Sequence, residues 1–324
     1  MGLQYFTQGN ANVLFETDSQ SLLRISKRFS RLSENNTYTA TVNTQFIKSI
    51  INKNSTANLP FILYELVKIK PQYNPNSDYE RITLYLANLG ILIDSDEIIG
   101  FKIPNLFYID KTITSINEYK TIEVDHYTKI HVSLRSILWE CKPKWEYFQN
   151  KLSVNNTDYT TYFCRNCTNN IIKNIKTQIC YCNVVEFDNT HNMTTNNSNN
   201  NNTTEKITFL KKILLKYNLP SDYLSDITSY LILNDNNVIR LVYKEQTNLL
   251  AALPFFDPHL MTLRDVSCFI IWKRAYNGDK NIIESRIVDV DYKPYKKSWE
   301  TQYSKIIEYC SKKIIHKDSF QHEF

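Results

Sequence analysis

The chain has 324 residues but only five glycines: Gly2, Gly9, Gly90, Gly100 and Gly278. Dinucleotide-binding and Walker-type phosphate loops need several glycines within one short turn, so that the backbone can bend sharply and approach a phosphate. Neither loop can be written with glycines this far apart, and any nucleotide site must use another device. The length allows two lobes or one large domain, and 42% apolar residues can fill a substantial core.

Hydrophobic spacing gives a mixed order of elements. Ala11–Glu16 and Ser21–Ile25 read as strands joined by the polar turn Thr17–Gln20. Thr44–Ile51, Leu59–Val67 and Ser77–Leu89 have helical spacing, with Ser77 as N-cap and Gly90 as C-cap of the last. Ile91–Ile93, Ile98–Ile103, His131–Trp139 and Ile282–Val288 read as strands. Ile207–Tyr217, Asp222–Leu233 and Trp299–Ile315 read as helices, and Leu260–Trp272 suits either state, with Phe269–Trp272 favouring a buried strand. The Asn-rich tract within Asp188–Thr204 has almost no apolar residues and is expected to be a disordered insertion.

The formal charge of +5 suits an anionic ligand but is too small to argue for nucleic acid by itself. No basic-plus-apolar leader is visible, and no apolar run nears the ~20 residues that span a bilayer. A soluble, intracellular protein is the expectation. Its seven cysteines then belong to a reducing compartment, where disulfides are not expected.

Glu140-Cys-Lys-Pro-Lys144 closes an apolar run. If the strand continues, Glu140, Lys142 and Lys144 share one face, either as a solvated row or as a wall for a polyanion. A second element of this kind, Asp289-Val-Asp-Tyr-Lys-Pro294, follows another strand-like run. Gly9-Asn-Ala-Asn12 could turn backbone N–H groups toward a phosphate, with Arg24 within reach, or be an ordinary turn beside a surface arginine. Cys164, Cys167, Cys180 and Cys182 have spacing that suits tetrahedral zinc, against four unliganded thiols. Asp265, at the mouth of an apolar run, suits a general base, or a surface ion pair with Arg264. Asn236, Asn237 and Arg240 read as a polar turn entering a strand.

Taken in order, these pieces resemble the inositol-pentakisphosphate 2-kinase family, in its fungal branch. The likeness rests on Gly9–Asn12, Leu23-Arg-Ile-Ser-Lys27, Glu140–Lys144, Cys164-Arg-Asn-Cys167, Asn236-Asn237, Arg264-Asp-Val-Ser267 and Asp289–Pro294. It implies an α+β, two-lobed kinase-like fold: a smaller, β-rich N-terminal lobe with helices over 1–139, and a larger mixed α/β C-terminal lobe over 140–324, carrying the insertion 188–204. It implies transfer of the γ-phosphate of ATP to the 2-hydroxyl of inositol pentakisphosphate, with Mg2+.

By the same resemblance, Gly9, Asn10, Ala11, Asn12 and Arg24 would meet ATP phosphates and Glu140 would help position the nucleotide. Lys142 would bridge both substrates, and Lys144, Lys173, Lys293, Lys297, Asn236, Asn237 and Arg240 would bind the inositide. Asp265 would take the hydroxyl proton and Asp289 would hold magnesium. A monomer in the nucleus, with no membrane or stable nucleic-acid partner, is implied as well. Two departures stand out: Asn169-Asn170-Ile171 replaces a His-Gln-His-type stretch, and Lys297 replaces an arginine, losing its bidentate fork. The rival reading is a zinc-containing basic nucleic-acid-binding protein without enzymatic activity. It rests on the cysteines and 13% aromatic content, but Lys and Arg do not gather in one stripe.

Overall fold

The structure, a computed structural model, describes residues 3–18, 20–52, 58–73, 77–108, 119–144, 147–154, 157–175, 179–181, 199–275 and 279–312. The chain is an α+β protein whose contacts divide into two compact units. The first comprises Met1–Ala57, Phe61–Tyr119 and Val290–Tyr292, and the second Asn58–Pro60, Lys120–Asp289 and Lys293–Phe324.

In the first unit, β1 (Gln4–Gln8), β2 (Asn12–Asp18), β3 (Ser21–Ser26), β4 (Glu65–Ile69) and β5 (Ile98–Pro104) form an antiparallel sheet in the order β1-β2-β3-β5-β4. Strand β2 alternates as its sequence dictates, with Val13 and Phe15 buried between half-buried neighbours. These two pack with Leu23 and Ile25 of β3 against Leu32 of α1 (Leu32–Tyr38) and against Ile82 and Leu86 of α3 (Asp78–Asn88). Ser77 caps α3 by accepting from the Glu80 N–H, and Gly90 follows with φ +81°. A π-helical turn, Thr39–Asn43, joins α1 to α2 (Thr44–Ile51). Gly100 is required where β5 meets β3: a Cβ there would lie 2.8 Å from the Arg24 carbonyl oxygen.

In the second unit, β6 (Lys120–Asp125), β7 (Thr128–Val132), β8 (Ser136–Cys141), β11 (Ser267–Lys273) and β12 (Ile282–Val288) make an antiparallel sheet in the order β12-β11-β8-β7-β6. β9 (Tyr147–Val154) and β10 (Thr157–Cys164) pair separately. The helices are α4 (Arg165–Ile172), α5 (Asn199–Leu215), α6 (Ser221–Leu233), α7 (Val238–Ala252), α8 (Pro258–Leu263) and α9 (Lys297–Lys312). Strand β11 is buried from Ser267 to Trp272. Trp272 stands edge-on to Tyr223 of α6 and donates its indole N–H to Asp226, 2.8 Å away.

Several expectations are corrected. Leu59–Val67 is not a helix: chain pairing with β5 wins over local helical spacing, and β4 begins at Glu65. Ile91–Ile93 contributes a single bridge, Leu92 to Arg31. His131–Trp139 is not one strand, because Ser133 accepts from the Ser136 N–H and donates to its carbonyl, closing a turn between β7 and β8. Asn237 opens helix α7 rather than a strand. Leu260–Trp272 contains both states, α8 and then β11. Of the Asn-rich tract 188–204, residues 188–198 lie outside the described residues, whereas 199–204 are not disordered but form the first turns of α5.

Candidate active site

The Glu140–Lys144 motif does not continue as a strand. Strand β8 ends at Cys141, the Lys142 N–H donates to the Tyr127 carbonyl, and the Lys144 N–H turns back onto the Lys142 carbonyl at 2.8 Å. Pro143 causes this. It has no N–H for a ladder, and its fixed φ suits the centre of a three-residue turn. The turn brings the Lys144 ammonium 2.8 Å from Asp265 Oδ1, with the Tyr127 ring 5.7 Å from the same nitrogen. Lys293, the residue before Pro294, places its ammonium 2.9 Å from Asp265 Oδ2.

Asp265 is therefore bridged by two lysines, each next to a proline in its own loop. Burial would push its carboxyl up, but Lys293 and Lys144 outweigh that and hold it well below the usual carboxylate range. Its own loop is set by helix α8, whose last turn receives the Arg264 and Asp265 N–H groups at Leu260 and Thr262.

Asp289 follows β12 with φ +65°, a left-handed backbone that Asp tolerates better than most residues. The buried Ser267 hydroxyl donates to its Oδ2 at 3.2 Å. At Glu140, Oε2 lies 3.2 Å from His131 Nε2, and the other ring nitrogen is 3.0 Å from the Thr121 hydroxyl. The imidazole, held between the Thr121 hydroxyl and Glu140, orients the Glu140 carboxylate.

In the first unit, Gly9 and Asn10 are exposed and Ala11 and Asn12 half-buried. The loop is a hairpin end closed by the Gly9 N–H on the Asn12 carbonyl, while the Lys27 N–H donates to Ala11. None of Gly9 to Asn12 has a positive φ, and among the described residues a Cβ on Gly9 would meet nothing beyond its chain neighbours within 4 Å. Arg24 is buried, not a surface residue. It pairs with Asp291, which also accepts from Asn12 Nδ2 (2.9 Å), Asn43 Nδ2 (2.9 Å) and Arg28 Nη2 (3.3 Å). Burial would raise the Asp291 carboxyl; Arg24, the two amides and Arg28 press it far below its ordinary value.

The remaining expected residues are dispersed. Lys142 is half-buried beyond β8, Lys173 is exposed after the end of α4, and Lys297 is exposed at the first position of α9. Asn236 is exposed, whereas Asn237 is enclosed, capping α7 through the Arg240 N–H and donating to Leu231 and Asn234 carbonyls. Arg240 pairs with Asp235 at 2.7 Å and donates to the Ile232 carbonyl. Cys167 and Cys180 are buried, while the Cys164 side chain and Cys182 lie outside the described residues. Among the described residues no group of three or more His, Cys, Asp or Glu could hold a metal, so the zinc expectation gains no support. Also among the described residues, no helix is long and apolar enough to cross a membrane.

Sequence alone assigns no role to Asp291, Arg28, Asn43, His131 or Ser267. For Asp291 a signal existed: it alternates with Asp289 inside the quoted motif.

Two lysines converging on one half-exposed carboxylate, on an α+β scaffold, make a cationic site of the class that takes anionic ligands. No family model matches the chain. It is 30% identical over 330 residues to an inositol-pentakisphosphate 2-kinase of Kluyveromyces lactis, covering 100% of both chains. It is also 30% identical over 332 residues to the Saccharomyces cerevisiae protein of that name, covering 97% and 99%. The Candida glabrata relative is 29% identical over 301 residues. The chain belongs to the inositol-pentakisphosphate 2-kinase family, and it is a kinase.

Proposed function

We propose that the chain transfers the γ-phosphate of ATP to the 2-hydroxyl of inositol 1,3,4,5,6-pentakisphosphate, giving inositol hexakisphosphate. The observation that carries the reading is Asp265 bridged by Lys144 and Lys293. A polyphosphate offers both lysines better acceptors than one carboxylate, so substrate arrival draws them off Asp265 and restores its basicity. Asp265 then accepts the hydroxyl proton, the oxygen forms its bond to the γ-phosphorus, and ADP leaves with the electron pair of the broken P–O bond.

Lys142 bridges the two substrates. Lys144, Lys293, Lys297 and Lys173 bind inositide phosphates, with Asn236 and Arg240 beside them and Asn237 acting through the cap it provides. Gly9–Asn12 meet ATP phosphates through their backbone, where open space beside Gly9 leaves room for close approach. Arg24 acts through Asp291, and Glu140 positions the nucleotide. Asp289 offers a hard carboxylate oxygen, and Mg2+ is commonly held by one or two carboxylates together with substrate phosphates. The residues present fit such a shared ion, which would neutralise charge developing on the transferred phosphoryl group.

Purified protein with ATP and Mg2+ is expected to phosphorylate inositol pentakisphosphate at the 2-position and to leave a panel of less phosphorylated inositols largely unchanged. Product mapping by NMR checks the position. An unreacted pentakisphosphate would overturn the reading.

A further inference from the structure

Gln246 lies in the middle of α7 and is buried. Its Nε2 donates to the Leu263 carbonyl at 2.9 Å and to the Pro143 carbonyl at 3.3 Å. Two carbonyl acceptors on the same side fix the amide orientation, since the oxygen end could not face them. Both acceptors would otherwise lack a partner that regular structure supplies. Leu263 closes α8, where the last carbonyls have no intrahelical N–H. Pro143 is the centre of the turn closed by the Lys144 N–H, which leaves its own carbonyl outside that turn.

The residue after Pro143 is Lys144, and two residues after Leu263 comes Asp265. One buried carboxamide thus ties together the two loops whose side chains meet at 2.8 Å. Apolar packing alone would fill the same volume on α7. The Gln246 Oε1 finds no hydrogen-bond donor among the described residues, a cost that an apolar side chain would avoid.

We propose that Gln246 is a positioning residue that sets the spacing between the inositide-binding lysine and the base by holding both backbones. The inference rests on the roles of Asp265 and Lys144 given above. Gln246→Met keeps the volume and removes both donors. It is expected to lower kcat by about 10- to 100-fold, the scale of a misplacement near 1 Å, with KM for ATP unchanged. Two carbonyls lose their donor, so the melting midpoint should fall by several degrees, and turnover is compared where both proteins are folded. Because part of the effect runs through Asp265, adding Gln246→Met to Asp265→Asn should cost clearly less than the product of the two single losses.

Undiminished kcat in Gln246→Met, or losses that multiply in the double variant, would overturn the proposal. If Gln246→Met does not fold, Gln246→Asn carries the same two readings, since its carboxamide falls one methylene short of the carbonyls. Full turnover by Asp265→Asn alone is a separate result. It removes the base assignment and this inference with it.

Discussion

Asp265 and Asp291 show how one residue type takes two roles through its surroundings. The Asp291 side chain is 2% exposed and fully engaged by two arginines and two amides. Removing one partner of a buried pair leaves uncompensated charge, so Asp291→Ala should destabilise its unit by about 3–5 kcal/mol, read by denaturant unfolding. The carboxyl is depressed in the folded state, so its stabilisation is complete above the unfolded carboxylate pKa and declines as pH falls toward the folded one. The stability gap between wild type and Asp291→Asn should therefore be constant from neutral pH down to the ordinary carboxylate range and narrow below it. Asp265 is different, with a side chain 39% exposed. Its lysine pairs count for little in stability, on the order of 0–1 kcal/mol each. Asp265→Asn should melt like wild type and lose about 10²- to 10⁴-fold in kcat, the usual share of a general base. Among the described residues, a methyl group at Gly9 meets nothing beyond its chain neighbours within 4 Å, so Gly9→Ala should fold normally. A raised KM for ATP in that variant would report backbone approach to the nucleotide, and an unchanged KM would remove the loop from the ATP site.

At the scale of elements, Asn237 makes three hydrogen bonds around the start of α7, the helix that also carries Gln246. Asn237→Ala should cost about 1–2 kcal/mol through the lost cap, with KM for the inositide unchanged at temperatures where the protein is folded. A raised inositide KM without loss of stability would instead favour direct phosphate contact. The same cap shows where sequence and structure part. Local signals carried β2, β3, α2 and α3, because alternation, Ser77 and Gly90 each act within a few residues. The Asn236–Arg240 stretch holds the residues of a cap and of a turn alike, and only burial of Asn237 between α6 and α7 decides between them. Likewise the apolar run His131–Trp139 hides a hairpin, since Ser133 and Ser136 signal a turn only once their hydroxyls meet. The site residues were legible as types around prolines. Their partners were not, because Lys144, Lys293 and Asp265 come from loops far apart in the chain.

For the whole molecule, the charge balance has a consequence that binding can test. A net charge of +5 is small, yet two lysines already converge on the single carboxylate of Asp265. A ligand that binds only the folded protein stabilises it, by about 2.7 kcal/mol when present at a hundred times its Kd. Inositol pentakisphosphate should therefore raise the melting midpoint without ATP. Chelating Mg2+ should leave this shift in place while stopping phosphate transfer, because the ion is assigned to Asp289 and the nucleotide rather than to the inositide. The shift should weaken with added salt, as half-exposed lysines are screened over about 8–10 Å at 0.1–0.15 M. It should also shrink in Lys144→Ala and Lys293→Ala. In both variants Asp265 loses a cation, so its carboxyl returns toward its ordinary value even without substrate. A melting midpoint indifferent to pentakisphosphate in the wild type would mean that the lysines serve Asp265 alone, and the exchange of partners at the base would have to be abandoned.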